Sequence, residues 1–166
     1  VLDHTEAGIY TAALSIVSIL MFFPKLFIQV FLPEFSKLFG ENRKEKIVGI
    51  FKKTSSVIFI ISAILCSILF FVSEIVLSFF GDKFIEGATV LKIIIPSVFI
   101  RMISIPCNAF LSGTKYILYP NIGGVIILIT STLSWYFLIP EYNLSGVAAG
   151  YSIGIVVGVG YQILMT

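Results

Sequence analysis

Residues 54–80 read TSSVIFIISAILCSILFFVSEIVLSFF, and Glu74 is the only charged residue among them. A helix of about 20 predominantly apolar residues crosses the hydrocarbon core of a bilayer, so this stretch predicts a transmembrane α-helix. The whole chain shares this character: 58% of its residues are hydrophobic, 12% are charged and its mean hydropathy is +1.06. Soluble proteins carry about 25% charged residues. The composition therefore predicts an integral membrane protein.

Four further stretches are long enough to cross a bilayer, at residues 9–32, 88–112, 116–139 and 144–165. The last two contain no charged residue. The first contains Lys25, and the stretch at 88–112 contains Lys92 and Arg101. The sequence thus predicts an all-α integral membrane protein with about five transmembrane helices.

Basic residues indicate how these spans are oriented. Residues 36–53 contain only Glu41 and Glu45 as acids but are rich in bases, namely Lys37, Arg43, Lys44, Lys46, Lys52 and Lys53. The positive-inside rule places this segment in the cytoplasm as a basic loop. Alternation of the spans then places residues 113–115 inside, and residue 1 and the connections at 81–87 and 140–143 outside. We expect a multi-pass protein of the cytoplasmic membrane.

The basic segment has a second interpretation, which is compatible with the first. Its lysines alternate with apolar residues in the pattern of an amphipathic helix that lies on an anionic lipid surface. The apolar residues are Phe35, Leu38, Phe39, Ile47, Ile50 and Phe51. Membrane lipids are therefore expected partners of this segment.

Polar residues recur at helical spacing along the span at 88–112. Intervals of four, three, four and four residues place them on one side of a helix: Ser97, Arg101, Ser104, Asn108 and Ser112. An arginine at the bilayer centre costs about 2.5–3.5 kcal/mol on insertion scales, so such a residue generally faces a cavity or a partner and marks a transport or ligand path. Arg101 is therefore the leading candidate for a functional residue.

The span at 9–32 carries a similar polar face, formed by Thr11, Ser15, Ser18, Lys25 and Gln29. Two polar faces with one cation each predict a polar lumen. Two alternatives stay open. Serine and asparagine also hydrogen-bond between membrane helices, and Lys25 is close enough to the inner boundary for its ammonium group to reach the interface.

The span at 144–165 has glycine at every fourth position, at Gly146, Gly150, Gly154 and Gly158. This small-xxx-small pattern predicts close packing against a neighbouring helix. Prolines inside other spans, at Pro24, Pro96 and Pro106, predict kinks.

The residues for enzymatic or metal chemistry are scarce. Cys66 and Cys107 both fall within apolar spans, and His4 is the only histidine. The acids of the predicted outer connections have no motif spacing, whereas a membrane enzyme needs acids, histidines or a metal-binding loop at the interface. We expect no enzyme activity, no metal or other cofactor and no nucleic-acid partner.

Six short motifs occur in order along the chain: GIYTAA at 8–13, PEFSKL at 33–38, FGDKF at 80–84, VLKI at 90–93, NAFLSGTK at 108–115 and IPEYNLSGVAAG at 139–150. Their order and spacing resemble the C-terminal half of oligosaccharide flippases. These form the polysaccharide-biosynthesis branch of the multidrug/oligosaccharidyl-lipid/polysaccharide transporter superfamily. The resemblance covers essentially the whole chain.

The resemblance implies two pseudo-symmetric lobes of six helices around a central cavity that opens alternately to either side. A GIY-type start resembles the second helix of a lobe, so residues 1–166 are expected to form helices eight to twelve of a twelve-helix protein. This is most of its C-terminal lobe. The N-terminal lobe and one further helix are then partners outside this sequence.

The resemblance also implies movement of a lipid-linked oligosaccharide, a polysaccharide precursor, from the cytoplasmic to the outer leaflet. The lipid-linked phosphate or diphosphate is anionic, and guanidinium matches phosphate oxygens bidentately. From the two polar faces we expect Arg101 and Lys25 to bind the phosphate. We expect Gln29, Ser97, Ser104 and Asn108 to bind sugar or head-group hydroxyls.

Two other classes of membrane protein remain as alternatives. An ion-coupled multidrug antiporter of the same superfamily is expected to carry intramembrane acids, whereas the only acids near the spans here are Glu34 and Glu74, both close to span ends. A membrane structural module predicts that both polar faces contact protein helices.

Overall fold

The computed structural model describes residues 4–165, and within that range the chain is helical, without strands. The predicted all-α class is confirmed. The helices are α1 (His4–Leu20), α2 (Phe22–Gly40), α3 (Lys44–Ser78), a short 3-10 helix (Asp82–Glu86), α4 (Gly87–Ile103), α5 (Ile105–Ser112) and α6 (Leu118–Leu164).

Helices α1 and α2 together form one apolar segment that is long enough to cross a membrane. They are separated at Met21, because Pro24 has no N–H to donate to the carbonyl of Leu20. The hydrogen bond from Lys25 N to Met21 O is stretched to 3.4 Å, whereas Met21 N lies 2.9 Å from Val17 O. The span predicted at 9–32 lies within this segment and contains the predicted kink.

The basic segment 36–53 is mostly helical, which differs from the predicted loop. Helix α2 continues to Gly40, a turn follows at residues 41–43, and α3 begins at Lys44. Asn42 adopts a left-handed conformation with φ of 55°, which asparagine tolerates better than most residues. Ile47 of α3 and Phe35 of α2 belong to one buried apolar cluster, which stabilises both helix ends. The segment therefore consists of two helix ends joined by a turn, and its placement on an anionic lipid surface stays a prediction.

Helices α4 and α5 form the central span of the bundle. In its most apolar stretch of 18 residues, 56% of the residues are buried, against 22% or less in the same stretch of the other segments that could cross a membrane. Helix α4 packs against α1, α3 and α6. The break at Ser104 follows from Pro106, which has no N–H for the carbonyl of Met102.

Helix α6 consists of two antiparallel arms, residues 118–142 and 144–164, joined at Asn143 (φ 46°, ψ −121°). Near the turn, Trp135 Nε1 donates to Val147 O at 2.9 Å, and at the far ends Gln162 Nε2 donates to Pro120 O at 3.2 Å. Each arm matches one predicted span, 116–139 or 144–165. Four helical segments of the described residues are long and apolar enough to cross a membrane. Because α6 folds back at Asn143, its two arms count separately, which gives five candidate spans.

The predicted glycine face joins these two arms. An added Cβ at Gly146 would overlap the carbonyl oxygen of Leu138, and one at Gly150 would overlap the Trp135 ring. Gly154 and Gly158 contact the first arm in the same way. All four glycines are buried, so the prediction of close helix packing is confirmed.

Replacing Trp135 by phenylalanine is expected to destabilise the protein by at least about 0.6 kcal/mol, the average for a hydrogen bond between membrane helices. The bond to Val147 O is lost, and the phenyl ring is smaller than the indole that packs on Gly150. Unfolding of the purified protein in denaturing detergent measures the change. Tyr136→Phe is the matched control, because Tyr136 is 77% exposed. Equal stability of the Trp135→Phe variant and the parent would contradict the expectation.

The connections segregate to the two ends of the bundle. Asn42 and Lys44 of the α2–α3 turn share a pocket with Lys115 of the connection before α6. At the opposite end, Glu6 and Glu86 share a pocket with Asn143. This arrangement agrees with the predicted alternation of the spans.

Candidate functional site

A cleft of about 230 Å³ brings together the two cations that the sequence singled out. It lies where α1, α2 and α4 meet the second arm of α6. Its lining residues are Leu14, Val17, Ser18, Met21, Lys25, Val98, Arg101 and Tyr151. Two basic side chains within a largely apolar wall make the cleft a candidate binding site for an anion.

Arg101 is half-buried in the last turn of α4. Its Nη1 donates to the hydroxyl of Tyr151 at 3.4 Å, which links α4 to the second arm of α6. The salt bridges found in the described part of the chain pair Arg43 with Glu41 and Lys92 with Glu74. Neither includes Arg101, so its guanidinium charge is not neutralised by a carboxylate of residues 6–165.

Lys25 enters the cleft from the first turn of α2, directly after Pro24. Its side chain is exposed and takes part in neither of those two salt bridges. Lys25 shares the cleft with Arg101, and both interpretations of Lys25, lining a lumen and reaching the interface, stay predictions. The helix break at Met21, which is itself part of the cleft wall, places Lys25 there.

Ser97 and Ser104 lie outside the cleft. Both are buried, and their hydroxyls donate to the carbonyls of Ile94 at 2.7 Å and Arg101 at 2.8 Å. The second arm of α6 lies along this face of α4, since Ser152 Oγ donates to Ile93 O at 3.3 Å. Around Ser97 the predicted polar face is therefore a helix contact, and it reaches the cleft at Arg101.

Gln29 and Asn108 also lie outside the cleft lining. Gln29 is exposed, one turn beyond Lys25 on α2, and Asn108 is half-buried on α5. The structure therefore groups two of the six predicted binding residues, Lys25 and Arg101. Binding of sugar or head-group hydroxyls by the other four stays a prediction.

The polar face of α1 is turned away from the other helices of this chain. Thr11, Ser15 and Ser18 are exposed, and their hydroxyls donate to backbone carbonyls of the preceding turn at 2.8–2.9 Å. The opposite face is buried and includes Ala13 and Val17. Because each hydroxyl is bonded within its own helix, this face satisfies its hydrogen bonds without a neighbouring helix.

Sequence reasoning missed Tyr151 as a cleft residue. It lies in a span without charge, and a hydroxyl has little effect on hydropathy. A usable signal was present, because a tyrosine in the middle of an apolar span generally needs a hydrogen-bond partner. In the structure that partner is Arg101.

These features together define a multi-pass membrane protein whose helices enclose part of a cationic cleft. The family model that matches the chain is MatE, over residues 2–137. The chain belongs to this family, which is the multidrug/oligosaccharidyl-lipid/polysaccharide transporter superfamily predicted from the motifs. Its members are membrane transporters. The matched range contains Lys25 and Arg101, and Tyr151 follows it.

Among curated proteins and solved structures, no match to this chain is found.

Proposed function

We propose that the complete protein moves a lipid-linked oligosaccharide across the cytoplasmic membrane by alternating access, and that this chain supplies most of its C-terminal lobe. One observation carries the proposal: Lys25 and Arg101 line the same cleft, and no carboxylate of the described residues lines it. A lipid-linked phosphate or diphosphate is the part of such a substrate that needs cations within the membrane.

The chemistry of the cleft suits a phosphate group. A guanidinium offers paired N–H donors to phosphate oxygens, and an ammonium adds a point charge. The Tyr151 hydroxyl fixes one edge of the Arg101 guanidinium and leaves its other donors for a ligand. Charged hydrogen bonds in an apolar wall are stronger than those in water.

The size of the cleft indicates that this chain holds only part of the binding site. Pockets for drug-sized ligands measure about 300–1,000 Å³, and the cleft measures about 230 Å³. A phosphate group fits this space, and an oligosaccharide does not. The exposed polar face of α1, together with Lys25 and Gln29, supplies one wall of a larger cavity whose other wall belongs to the second lobe.

The distribution of acids favours this substrate class over a cationic drug. Among the described residues, Glu74 pairs with Lys92 at 2.8 Å at a span end, and Glu34 is exposed on α2. Neither lines the cleft.

We place the α2–α3 turn and residues 113–117 in the cytoplasm, because the basic residues concentrate there.

Reconstitution of the complete protein in lipid vesicles tests this proposal. A fluorescent lipid-linked oligosaccharide is added to the lipid, and an impermeant reagent reports the fraction in the outer leaflet over time. We expect protein-dependent exchange between leaflets. Accumulation of a cationic dye under a proton or sodium gradient, without movement of the lipid-linked sugar, would assign the protein to the multidrug antiporters.

A further inference from the structure

We infer that a second anion-binding site lies at the end of the bundle where the α2–α3 turn meets the connection before α6, and that it binds the phosphate of an anionic membrane lipid. The site is a cavity of about 210 Å³ lined by Phe39, Asn42, Lys44, Ile47, Lys115 and Tyr116. It is separate from the cleft around Arg101, with which it shares no residue.

The charge of this cavity is positive. Lys44 is the first residue of α3 and Lys115 lies in the connection before α6, and no carboxylate of the described residues lines the cavity. The adjacent acid Glu41 is engaged by Arg43, whose Nε lies 3.0 Å from a Glu41 carboxylate oxygen. Glu45 lines a neighbouring groove, which also includes Lys44, Arg43 and Lys46, so bases outnumber the acid there. The two lysines therefore face the cavity without a compensating acid among its lining residues.

Packing holds the two connections in place. Phe35, Leu38, Ile47 and Ala109 form a buried cluster beneath them. At Gly113 an added Cβ would lie 2.9 Å from Phe35 Cβ and 3.0 Å from Leu32 O, so the second connection lies directly against α2. Lys115 Nζ is 5.2 Å from the centre of the Tyr116 ring, within the range of a cation–π interaction.

The surroundings favour a lipid over a soluble phosphate. Exposed apolar side chains flank the cavity: Phe39 is 40% exposed, Ile117 53% and Leu118 69%. The cavity lies at the end of the membrane-spanning segments, where lysines meet lipid head groups. A lipid phosphate between the lysines places its acyl chains against these apolar residues, whereas inorganic phosphate uses the lysines alone.

Equilibrium binding to the complete protein tests this inference. The probe is fluorescent phosphatidylglycerol in neutral detergent, and the reference is fluorescent phosphatidylcholine, whose choline cation cancels the charge of its phosphate. In the Lys44→Gln/Lys115→Gln variant we expect phosphatidylglycerol to bind about thirtyfold more weakly, from the attraction of two lysines to an anionic lipid. Phosphatidylcholine binding should not change. Because both lysine side chains are exposed, the thermal midpoint should also stay the same.

Lys52→Gln/Lys53→Gln is the matched control, because it also removes two positive charges, both from the basic segment and both outside the cavity. We expect this control to bind phosphatidylglycerol within about twofold of the parent. An equal loss of phosphatidylglycerol affinity in both double variants would mean that the lipid is attracted to the basic surface in general and not to this cavity. Unchanged affinity in both double variants would also overturn the inference.

Displacement of the lipid by millimolar inorganic phosphate would assign the cavity to a soluble phosphate. The Lys44→Gln/Lys115→Gln change should weaken phosphatidylglycerol binding by the same factor in the Arg101→Gln background, because Arg101 does not line this cavity. That comparison separates this site from the cleft proposed for transport.

Discussion

Replacing Arg101 by glutamine in the complete transporter is expected to reduce movement of lipid-linked oligosaccharide by at least about thirtyfold. Glutamine keeps a polar but shorter side chain, and the charge and the paired donors for phosphate are lost. Loss of one partner from a buried, hydrogen-bonded charge pair costs about 2–5 kcal/mol, and 2 kcal/mol corresponds to about thirtyfold. The vesicle exchange assay measures the rate.

Three variants separate the contributions to this effect. Arg101→Lys keeps the charge but loses the bidentate geometry, so we expect an intermediate rate. Tyr151→Phe removes only the hydroxyl that fixes the guanidinium, and its loss should be smaller. Lys25→Gln tests the second cation of the cleft. Normal exchange by Arg101→Gln, at normal expression, would remove Arg101 from the phosphate site.

A structural role for Arg101 makes a different prediction. If the residue only links α4 to α6, Arg101→Gln and Tyr151→Phe should lower the thermal midpoint together while the rate per folded molecule stays constant. The functional role predicts a lower rate per folded molecule. Measuring the thermal midpoint and the exchange rate on the same preparation distinguishes the two roles.

Replacing Gly158 by alanine is expected to destabilise the protein by about 1–3 kcal/mol, the usual cost of an extra methyl group in a filled interior. The added Cβ would lie 2.7 Å from the backbone oxygen of Gly123 and would overlap the Ile127 side chain. A backbone oxygen cannot rotate away, so the two arms of α6 must separate. Thermal unfolding and the yield of folded protein measure the result.

Gly160→Ala is the matched control for this variant. Gly160 lies in the same arm, and an added Cβ there has no atom within 4 Å. Both variants gain the same methyl group and the same intrinsic helix preference, so their difference isolates the contact between the arms. We expect Gly160→Ala to be as stable as the parent. If both variants lose the same stability, the glycine face is not the contact that holds the arms together.

The membrane fold could be predicted from the sequence because a long run of apolar residues must avoid water, and hydropathy detects such a run without knowledge of the rest of the fold. Residues 54–80 are long and apolar enough to need a bilayer around them. The structure places all but the last two of these residues in one helix. The helix boundaries were less predictable. Helix α3 begins at Lys44, ten residues before the apolar stretch, since charged residues end the apolar span without ending the helix.

The site was predictable in part, for a related reason. A charge inside a span is costly wherever it lies, so Arg101 could be selected without knowledge of its neighbours. Spacing alone does not say which neighbour covers a helix face. Ser97 shares the face of Arg101 in sequence, but the second arm of α6 packs along that face and the Ser97 hydroxyl bonds its own helix.

The two cations of the cleft stand beside interruptions in their helices. Lys25 follows the break between α1 and α2, and Arg101 precedes the break between α4 and α5. Each break divides its span into two rigid halves. A change of bend at either one alters the separation of the ammonium and guanidinium groups. Under the proposed function, the affinity of the cleft for phosphate would therefore depend on the bend of the two spans, so that one bend would bind the phosphate and another would release it.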